Sequence, residues 1–533
     1  MSSRRPALVT AGLVLAALVA GPVATGSPAP TPAATASSTE RVRADLLPDC
    51  VYGASARGLR GYEARVERDA QAYADRLDGA TPAERRRAAT TFAAAEAAYV
   101  YGLPLVNLHD TVRKFRFRNT IVSVAALADP DTRAVVSPNV DTAYSVGWLS
   151  LTQGPLVIEV PDTHGRFYTF QFMDAFTNSF AYLGSGSTGT KAGSYVLVPP
   201  GYEGDLPAGL PVLHSPTNTI WLLGRTLVDG PDQTEEVKPI LQGYRTTPLA
   251  EWEAGGRGES IVLDQQPSFG PKPVTPTGTD FVATLNQELT IDPPPARQDC
   301  VLKALAPAGV EQPDRSQAAV LAADSANQAG NPQGSSESTP QNDAVAAGTR
   351  AAVRLIDHAS TTFNAVNSRG NAGWSVMTAP WIGDFARKYL GRGLIATNLL
   401  GANVPHIATY PTSYDDSRGR PLTGRHRYAI TFPKGQLPPV KAFWSLTMYQ
   451  RDNFLHANEI DRYAVGDRTR GLRLNPDGSL TIYLQHRKPH GAKRAANWLP
   501  APAGAFHVIL RLYLPRDRVL DGGWRIAGLE RRG

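Results

Sequence analysis

Four side chains that could carry acid–base chemistry fall within one short stretch of the chain. They are Asp141, Arg166, Tyr168 and Asp174, and Asn139 lies two residues before the first carboxylate. Residues two apart on a strand point to the same face of a sheet, and neighbouring strands can bring such groups together. A set of this kind can act in general acid/base catalysis, or hold a sugar or a carboxylate through paired hydrogen bonds. The structural alternative is that Asn and Asp cap turns and that Arg–Asp pairs lock strands.

A second group, nearer the C-terminus, combines aromatic rings with polar neighbours and is predicted to bind a ligand together with Asn139. It contains Trp444, Tyr449, Asn497 and Trp498. Trp and Tyr beside Asn suit stacking on a sugar ring, and the structural alternative is core or interdomain packing. A crevice between two domains is a natural ligand site. We therefore expect the two aspartates of the first group on one wall of a crevice, with Trp444 and Asn497 on the other.

Two sets of short strand-like runs must position these groups. The first set comprises residues 143–149, 156–160, 168–173, 194–198 and 219–225. The second set comprises residues 428–432, 442–449, 480–484, 506–513 and 523–528. Clusters of Gly, Pro, Asp and Asn separate the runs, and short strands at this spacing favour β-sandwiches. The sequence therefore predicts a mainly β fold with two sandwich domains.

Helical patterns and one polar stretch account for the rest of the chain. Helices are predicted over residues 61–79, from a Thr81-Pro82-Ala83-Glu84 start to 102–104, and over 234–244, 280–289, 344–366 and 380–400. The polar stretch 311–343 is typical of a linker or an exposed insertion. We divide the chain into a secretory signal (1–36), an N-terminal helical segment (37–118), a first β-sandwich (119–250), helices with a polar linker or insertion (251–400), and a second β-sandwich (401–533).

Several of these segments resemble two modules of unknown function. The motifs PNVDTAY (138–144), GRFY (165–168), QFMD (171–174) and LGRT (223–226) resemble domain of unknown function 1254. The motifs AFWSLTMY (442–449), NPDGS (475–479), NWLPAP (497–502) and RLY (511–513) resemble its usual C-terminal companion, domain of unknown function 1214. The resemblance implies two different, partly jelly-roll-like β-sandwiches surrounded by helices. It implies no settled reaction.

The N-terminus and the cysteines predict the compartment. Ser3-Arg4-Arg5 precedes an apolar run over 7–20, and small residues follow as far as Ala36. This pattern is typical of a cleaved secretory signal, the alternative being an uncleaved anchor, and it leaves both the general secretory and twin-arginine routes open. We expect a secreted protein without stable membrane insertion. Cys50 and Cys300 are the two cysteines, and in an exported chain they are expected to pair, the alternative being two separate buried thiols.

Composition and absent motifs limit the functions to consider. The 533 residues are 42% apolar, which suffices for two or three domain cores and excludes a mainly disordered chain. The net charge is +6, and the sequence has no basic run interleaved with aromatics, so no nucleic-acid partner is predicted. It contains no G-x-S-x-G, H-E-x-x-H or phosphate-binding loop motif. No metal and no cofactor are therefore predicted, and a homo-oligomer built from sandwich edges stays open.

Two functions fit these patterns. The first is an exported hydrolase or lyase that uses carboxylate, Tyr and Arg groups in an interdomain cleft. The alternative is a non-catalytic protein of the envelope or the medium that binds a carbohydrate or another small molecule in the same cleft. Catalysis needs a titratable group whose pKa is shifted by burial and neighbours, whereas binding needs only satisfied hydrogen bonds and stacking.

Overall fold

Strands between residues 121 and 263 form two sheets that pack on one core. They are β1 (Ile121–Val124), β2 (Thr142–Ser150), β3 (Leu156–Val160), β4 (Tyr168–Asp174), β5 (Ser179–Gly184), β6 (Gly193–Val198), β7 (Val212–His214), β8 (Thr219–Leu227), β9 (Arg245–Pro248) and β10 (Ser260–Leu263). The larger sheet has the order β10-β1-β2-β8-β4-β5 and the smaller β7-β6-β3-β9. Leu149 and Phe170 of the larger sheet share a buried apolar cluster with Ile158 of the smaller. This is the first domain.

Strands between residues 374 and 532 form a second pair of sheets. They are β11 (Trp374–Ser375), β12 (Ala408–Thr409), β13 (Thr412–Ser413), β14 (Arg427–Phe432), β15 (Trp444–Gln450), β16 (Ala464–Gly466), β17 (Leu480–Gln485), β18 (Trp498–Pro500), β19 (Phe506–Tyr513) and β20 (Glu530–Arg532). The larger sheet has the order β11-β13-β19-β15-β16, with β12 also paired to β19, and the smaller β18-β17-β14-β20. Leu446 and Leu510 pack with Ile482 across this core. This is the second domain.

Helices surround the two domains. They are α1 (Tyr62–Ala74), α2 (Pro82–Val112), α3 (Thr234–Gln242), α4 (Leu249–Glu253), α5 (Thr279–Ile291), α6 (Asp299–Leu305), α7 (Pro340–Ser368), α8 (Tyr389–Asn398), α9 (Ala492–Ala496) and α10 (Asp517–Leu520). The predicted start of α2 is confirmed, because the Thr81 and Glu84 side chains each hydrogen-bond the other residue's backbone N–H. A disulfide joins Cys50 to Cys300 in α6, so the expected pairing is also confirmed.

These elements come from a computed structural model that describes residues 46–53, 61–112, 117–133, 137–267, 274–316, 333–368, 371–376 and 382–532. The predicted secretory signal lies outside the described residues. Within them, no helix combines the length and the apolar character needed to cross a membrane. A β-rich fold with flanking helices is confirmed, and the jelly-roll connection of the strands stays a prediction.

Two predicted elements are wrong. Helix α2 does not end at Gly102-Leu103-Pro104 but continues to Val112. Its middle is buried in the helical core, and Arg392 donates a 2.7 Å hydrogen bond to the Tyr101 carbonyl oxygen just before Pro104, which stabilises a turn that a proline weakens. No strand forms over residues 523–528. Trp524 there packs into the second core, and the last strand is β20.

A buried acid at the end of α5 predicts a pH-dependent stability. Asp292 is fully buried and accepts a hydrogen bond from the Thr219 backbone N–H at 2.9 Å. Burial, the largest cause, and nearby Glu288 together raise the pKa of Asp292 to about 7, against the hydrogen bonds from Thr219, which lower it. A raised acid pKa stabilises the fold at pH values below the unfolded pKa, near 4, and that stability is lost as the pH rises to about 7.

We expect Asp292→Asn to remove this pH dependence. The wild type should lose on the order of 4 kcal/mol of unfolding free energy through this group between about pH 4 and pH 7. The variant should therefore be the more stable protein at pH 8 and should lose that advantage at pH 4. Urea unfolding at both pH values measures the difference, with the exposed Asp205→Asn as the control. Equal offsets from the wild type at both pH values would contradict the assignment.

Candidate functional site

The outer face of the second domain's larger sheet is polar and yet buried. Side chains alternate across β19, so Leu510 and Leu512 enter the core while Arg511 and Tyr513 lie on the opposite face. The same alternation in β15 adds Ser445, Thr447 and Tyr449 to this face. These polar side chains are at most 4% exposed. A polar sheet face is ordinarily left to solvent, so another part of the chain must cover it.

The larger sheet of the first domain presents the face that covers it. In the sheet register Tyr144 on β2 lies beside Arg225 on β8, and Arg225 lies beside Thr169 on β4. The Arg225 guanidinium carbon lies 5.6 Å from the centre of the Tyr144 ring. Tyr144 interacts electrostatically with Arg511, and Arg225 with Tyr513. The polar end of this face, around Tyr144 and Arg225, therefore lies opposite the polar face of the second domain's sheet, whereas Trp148 and Trp221 further along the same strands belong to an apolar cluster.

The segment before β2 ties the two faces together. Its residues hydrogen-bond side chains of the second domain's sheet: the Ser137 carbonyl oxygen accepts from Arg511 at 2.8 Å, the Pro138 carbonyl oxygen accepts from Tyr449 at 2.6 Å, and Asn139 Nδ2 donates to the Tyr513 hydroxyl at 3.0 Å. Asn139 Oδ1 also accepts from the backbone N–H groups of Asp141 and Thr142. Asn139 thus fixes the turn into β2 and contacts the second domain at the same time.

Asp141 is held by the second domain. Its Oδ1 accepts from Arg468 Nη2 at 2.7 Å, and its Oδ2 accepts from the Ser445 hydroxyl at 2.5 Å. Arg468 also donates to Asp229 of the first domain at 2.8 Å, and its guanidinium lies 4.2 Å from the centre of the Phe443 ring. Asp141 is 6% exposed. Because both carboxylate oxygens have partners, Asp141 bridges the domains.

Arg225 and Arg511 are buried cations whose polar partners are neutral. Arg225 donates to oxygens of Gln171, Gly401 and Asn403, and Arg511 donates to oxygens of Thr447 and Ser137. In the described part of the chain, no carboxylate oxygen lies within 4.0 Å of either guanidinium. Burial acts to lower the pKa of both groups, but neighbouring tyrosines outweigh it and raise both values. Both side chains therefore stay charged.

Tyrosines surround these two cations. Burial raises the pKa of Tyr449 to about 12 and that of Tyr513 well above its ordinary value, so both phenols stay protonated. Tyr144 and Tyr410 are half-buried, and the Tyr410 hydroxyl accepts from Asn403 Nδ2 at 2.9 Å. Among the described residues none hydrogen-bonds the Tyr144 hydroxyl. We call the following six residues the intersheet site: Tyr144, Arg225, Tyr410, Tyr449, Arg511 and Tyr513.

The two aspartates expected on one wall do not meet. Strands β2 and β4 both pair with β8. Asp174 on β4 lies opposite Ile220, and Thr142, which follows Asp141, lies opposite Leu227. Those positions are seven residues apart, or about 23 Å along a strand. The Asp174 carboxylate accepts from the backbone and side-chain nitrogens of Asn178, and burial raises its pKa to about 6. Asp174 therefore lies outside the intersheet site.

Arg166 and Tyr168 also lie apart from each other. Arg166 donates to the Leu227 carbonyl oxygen at 3.0 Å and lies 3.6 Å from a carboxylate oxygen of Glu236. Tyr168 is buried in the first sandwich core, with its ring centre 5.9 Å from that of Tyr244. Burial raises the pKa of Tyr168 to about 12. Arg166 thus lines an open cleft, and Tyr168 lies inside the core of the first domain.

Of the predicted ligand-binding residues, Tyr449 belongs to the intersheet site and Asn139 borders it. The other three are held by contacts inside the second domain: Trp444 packs on Phe432 at 5.6 Å between ring centres, Asn497 Nδ2 donates to the carbonyl oxygens of Arg473 and Thr481, and Trp498 Nε1 donates to the Gln485 carbonyl oxygen. The wall expected from Trp444 and Asn497 is therefore not found, because both side chains face away from the first domain.

Two open clefts flank the bridge made by Asp141 and Arg468. One, of about 920 Å³, is lined by Arg166, Phe167 and Asp229 of the first domain and by Phe443 of the second, among others. The other, of about 730 Å³, is lined among others by Val140 and Tyr463. Within the described residues, no three His, Cys, Asp or Glu side chains are grouped as ligands of a metal ion.

Sequence reasoning missed five members of the intersheet site and the bridging Arg468. The missed members are Tyr144, Arg225, Tyr410, Arg511 and Tyr513. A signal was present in β19. In its run FHVILRLY, the core-facing Phe, Val and Leu residues alternate with His507, Ile509, Arg511 and Tyr513. Such alternation places Arg511 and Tyr513 on one face. It does not indicate that the polar face is covered by another domain.

The fold and the site define a protein of two β-sandwiches that bury a polar site between their larger sheets. Sequence models of two protein families of unknown function match the chain, DUF1254 over residues 118–248 and DUF1214 over residues 407–517. The chain therefore has the DUF1254–DUF1214 two-domain architecture, as the motifs predict. Curated proteins give no match.

Two solved structures match most of the length of this chain with different degrees of similarity. The VPA0106 protein from Vibrio parahaemolyticus is 23% identical with a TM-score of 0.58, and the match covers 83% of this chain and 100% of that one. A putative uncharacterized protein from Burkholderia cenocepacia is 11% identical with a TM-score of 0.37, covering 89% of this chain and 96% of that one. The Vibrio structure supports the fold alone.

Proposed function

We propose that the protein binds a small molecule at the intersheet site, between the larger sheets of its two sandwiches. The observation that carries this proposal is the burial of polar side chains from both larger sheets against each other, with Tyr144 still half-buried among them. Faces packed for stability alone would be apolar and would leave central residues fully buried. Polar groups converging on a space that water can reach are typical of a ligand site.

The contacts favour binding over hydrolysis by two carboxylates. A glycosidase of that kind needs two carboxyl groups within about 10 Å of each other, on either side of the substrate bond. Asp141 and Asp174 lie at opposite ends of β8, and both oxygens of Asp141 already accept hydrogen bonds. The alternative of a non-catalytic binding protein is therefore the function that the geometry supports best.

We also propose that the protein is exported. The N-terminal pattern of Arg4-Arg5, an apolar run and small residues supports export. The Cys50–Cys300 disulfide agrees with it, since disulfides persist mainly in oxidising compartments. The ligand would then be a molecule of the medium or of the cell envelope.

A thermal-shift screen with a matched pair of variants tests the binding site. The purified protein is screened against organic acids, amino acids and neutral oligosaccharides, and we expect at least one compound to raise its melting temperature. Tyr144→Ala should abolish that shift, because it removes a half-buried ring and hydroxyl from the intersheet site. Tyr483→Ala is the control, since Tyr483 is also a half-buried strand residue with an arginine 5.9 Å from its ring centre, but lies in the smaller sheet of the second domain.

The expected result is a ligand-induced shift that Tyr483→Ala keeps and Tyr144→Ala loses. Two outcomes would contradict the proposal. One is that no compound of the panel shifts the wild-type melting temperature. The other is that the shift persists unchanged in a folded Tyr144→Ala protein, which would place the ligand elsewhere.

A further inference from the structure

We propose that the ligand of the intersheet site is an organic anion, whose negative group is bound jointly by Arg225 and Arg511. This inference rests on the proposed function and adds the chemical class of the ligand. It depends on three features of the site: two buried cations without a carboxylate partner, polar donors that are not used up, and walls made of tyrosine rings. Each is argued in turn.

The first feature is uncompensated charge. Arg225 and Arg511 are 6% and 4% exposed and come from opposite walls of the site. A buried charge is costly unless an opposite charge accompanies it. Asp141 interacts electrostatically with Arg511, but its two oxygens accept hydrogen bonds from Arg468 and Ser445. A bound anion would supply the missing negative charge.

Arg392 shows how the same chain stabilises a buried guanidinium without a ligand. Its guanidinium carbon lies 5.1–5.4 Å from the ring centres of Tyr101, Phe176 and Tyr389. Three ring faces share the charge there, and Asp174 lies near enough to interact with it. Arg225 and Arg511 each lie beside one ring centre, that of Tyr144 and that of Tyr449 respectively. Arg392 thus has three rings at cation–π distance and a nearby carboxylate, whereas each intersheet arginine has one such ring.

The second feature is the supply of donors. A guanidinium has five N–H donors, and within the described residues Arg511 hydrogen-bonds Thr447, Ser137 and the Tyr449 side chain, which leaves donors for a further acceptor. Thr169 lies beside Arg225 in the sheet register, is 1% exposed, and its hydroxyl has no hydrogen-bond partner in the described structure. A buried hydroxyl beside a cation, together with free guanidinium N–H groups, matches the several acceptor oxygens of a carboxylate, sulfonate or phosphate group.

The third feature is the aromatic wall, which favours an organic anion over an inorganic one. The site presents the rings of Tyr144, Tyr410, Tyr449 and Tyr513. Tyrosine rings offer apolar faces for a carbon skeleton, and the protonated hydroxyls of Tyr449 and Tyr513 cannot repel an anion. Tyr513 stacks on Phe443 at 4.1 Å and Tyr449 stacks on His507 at 5.3 Å between ring centres, so the half-buried rings of Tyr144 and Tyr410 are the ones left to contact a carbon skeleton. The ligand we infer therefore carries an acidic head and an apolar, planar body.

Calorimetric titration with matched aromatic probes tests the inference. The probes are benzoate, benzenesulfonate and phenyl phosphate, with benzamide as the neutral counterpart and sulfate as the inorganic one. The wild-type protein should bind at least one organic anion ten times more tightly than benzamide or sulfate. Arg511→Gln and Arg225→Gln should each weaken that binding by a factor of ten or more. Arg462→Gln is the control, because Arg462 also donates to carbonyl oxygens but lies outside the site.

The outcomes separate this inference from the proposed function. If a neutral compound of the larger screen binds in a Tyr144-dependent way and none of the three anions binds, the site stands and the anion inference fails. Equal binding of benzoate and benzamide, or anion binding that a folded Arg511→Gln protein retains, would also overturn it. If Arg511→Gln does not fold, Arg511→Lys keeps the charge but loses the planar fork, and the inference requires it to bind the anion more weakly than the wild type does.

Discussion

Replacing Asp141 by alanine is expected to lower the free energy of unfolding by about 3 kcal/mol, a large effect for the loss of one buried carboxylate between the domains. The variant loses the 2.7 Å ion pair with Arg468 and the 2.5 Å hydrogen bond from Ser445. Removing one partner of a largely buried pair leaves the other partner without its counter-charge. Urea unfolding monitored by fluorescence measures the change.

The second carboxylate of the same arginine provides the control. Asp229 pairs with Arg468 at 2.8 Å but is 39% exposed, whereas the Asp141 side chain is 7% exposed. Asp229→Ala should therefore cost less than about 1 kcal/mol, as solvent-exposed ion pairs do. If Asp141→Ala costs no more than Asp229→Ala, Asp141 is not the interdomain bridge that the contacts describe.

Removal of the disulfide should have the largest effect on stability. The Cys50–Cys300 bond closes a loop with a sequence separation of 250 residues. In the chain-entropy model, a loop of that length stabilises the fold by about 5 kcal/mol. The double variant Cys50→Ser, Cys300→Ser should therefore unfold at a much lower urea concentration. The segment that holds Leu47 and Val51 should separate first, because the disulfide fastens it to α6.

The redox state of Cys50 and Cys300 in the wild-type protein provides the control for this prediction. Reduction of the wild type with dithiothreitol should reproduce the loss seen in the double variant, and dithiothreitol should leave the double variant unchanged. Protein recovered from the culture medium should contain no free thiol, in agreement with export. Two free thiols in that material would contradict the disulfide, and a double variant as stable as the wild type would contradict the expected effect on stability.

Local patterns in the sequence were sufficient for nine strands, among them the longest of both sandwiches, and the expected export of a chain with two cysteines predicted the disulfide. The run 156–160 is apolar except for Glu159 and is bounded by turn residues, and it is strand β3 with the same limits. Residues 506–513 likewise form β19 with the predicted limits. Such patterns result from the burial of a strand's side chains within a single sandwich. The helix through Pro104 differed because tertiary contacts, including the one from Arg392 to the Tyr101 carbonyl oxygen, outweighed the local signal.

The functional site was harder to predict because it depends on which faces meet. Asp141 and Asp174 are close in sequence and lie on neighbouring strands, but the register places them at opposite ends of β8. Arg225 and Arg511 lie in motifs that were used to state the family resemblance. They belong to one site because the two larger sheets face each other. A single sequence does not reveal the register of paired strands or the relative orientation of two domains.

The central claim is that a small molecule lies between the two larger sheets, and a crystal structure tests it most directly. Crystals of the protein would be soaked with the compound that gives the largest thermal shift. We predict density between Tyr144 of the first domain and Tyr513 of the second, with oxygen atoms of the ligand within hydrogen-bond distance of Arg511. Density confined to either open cleft, with the space between the sheets filled by side chains, would contradict the account.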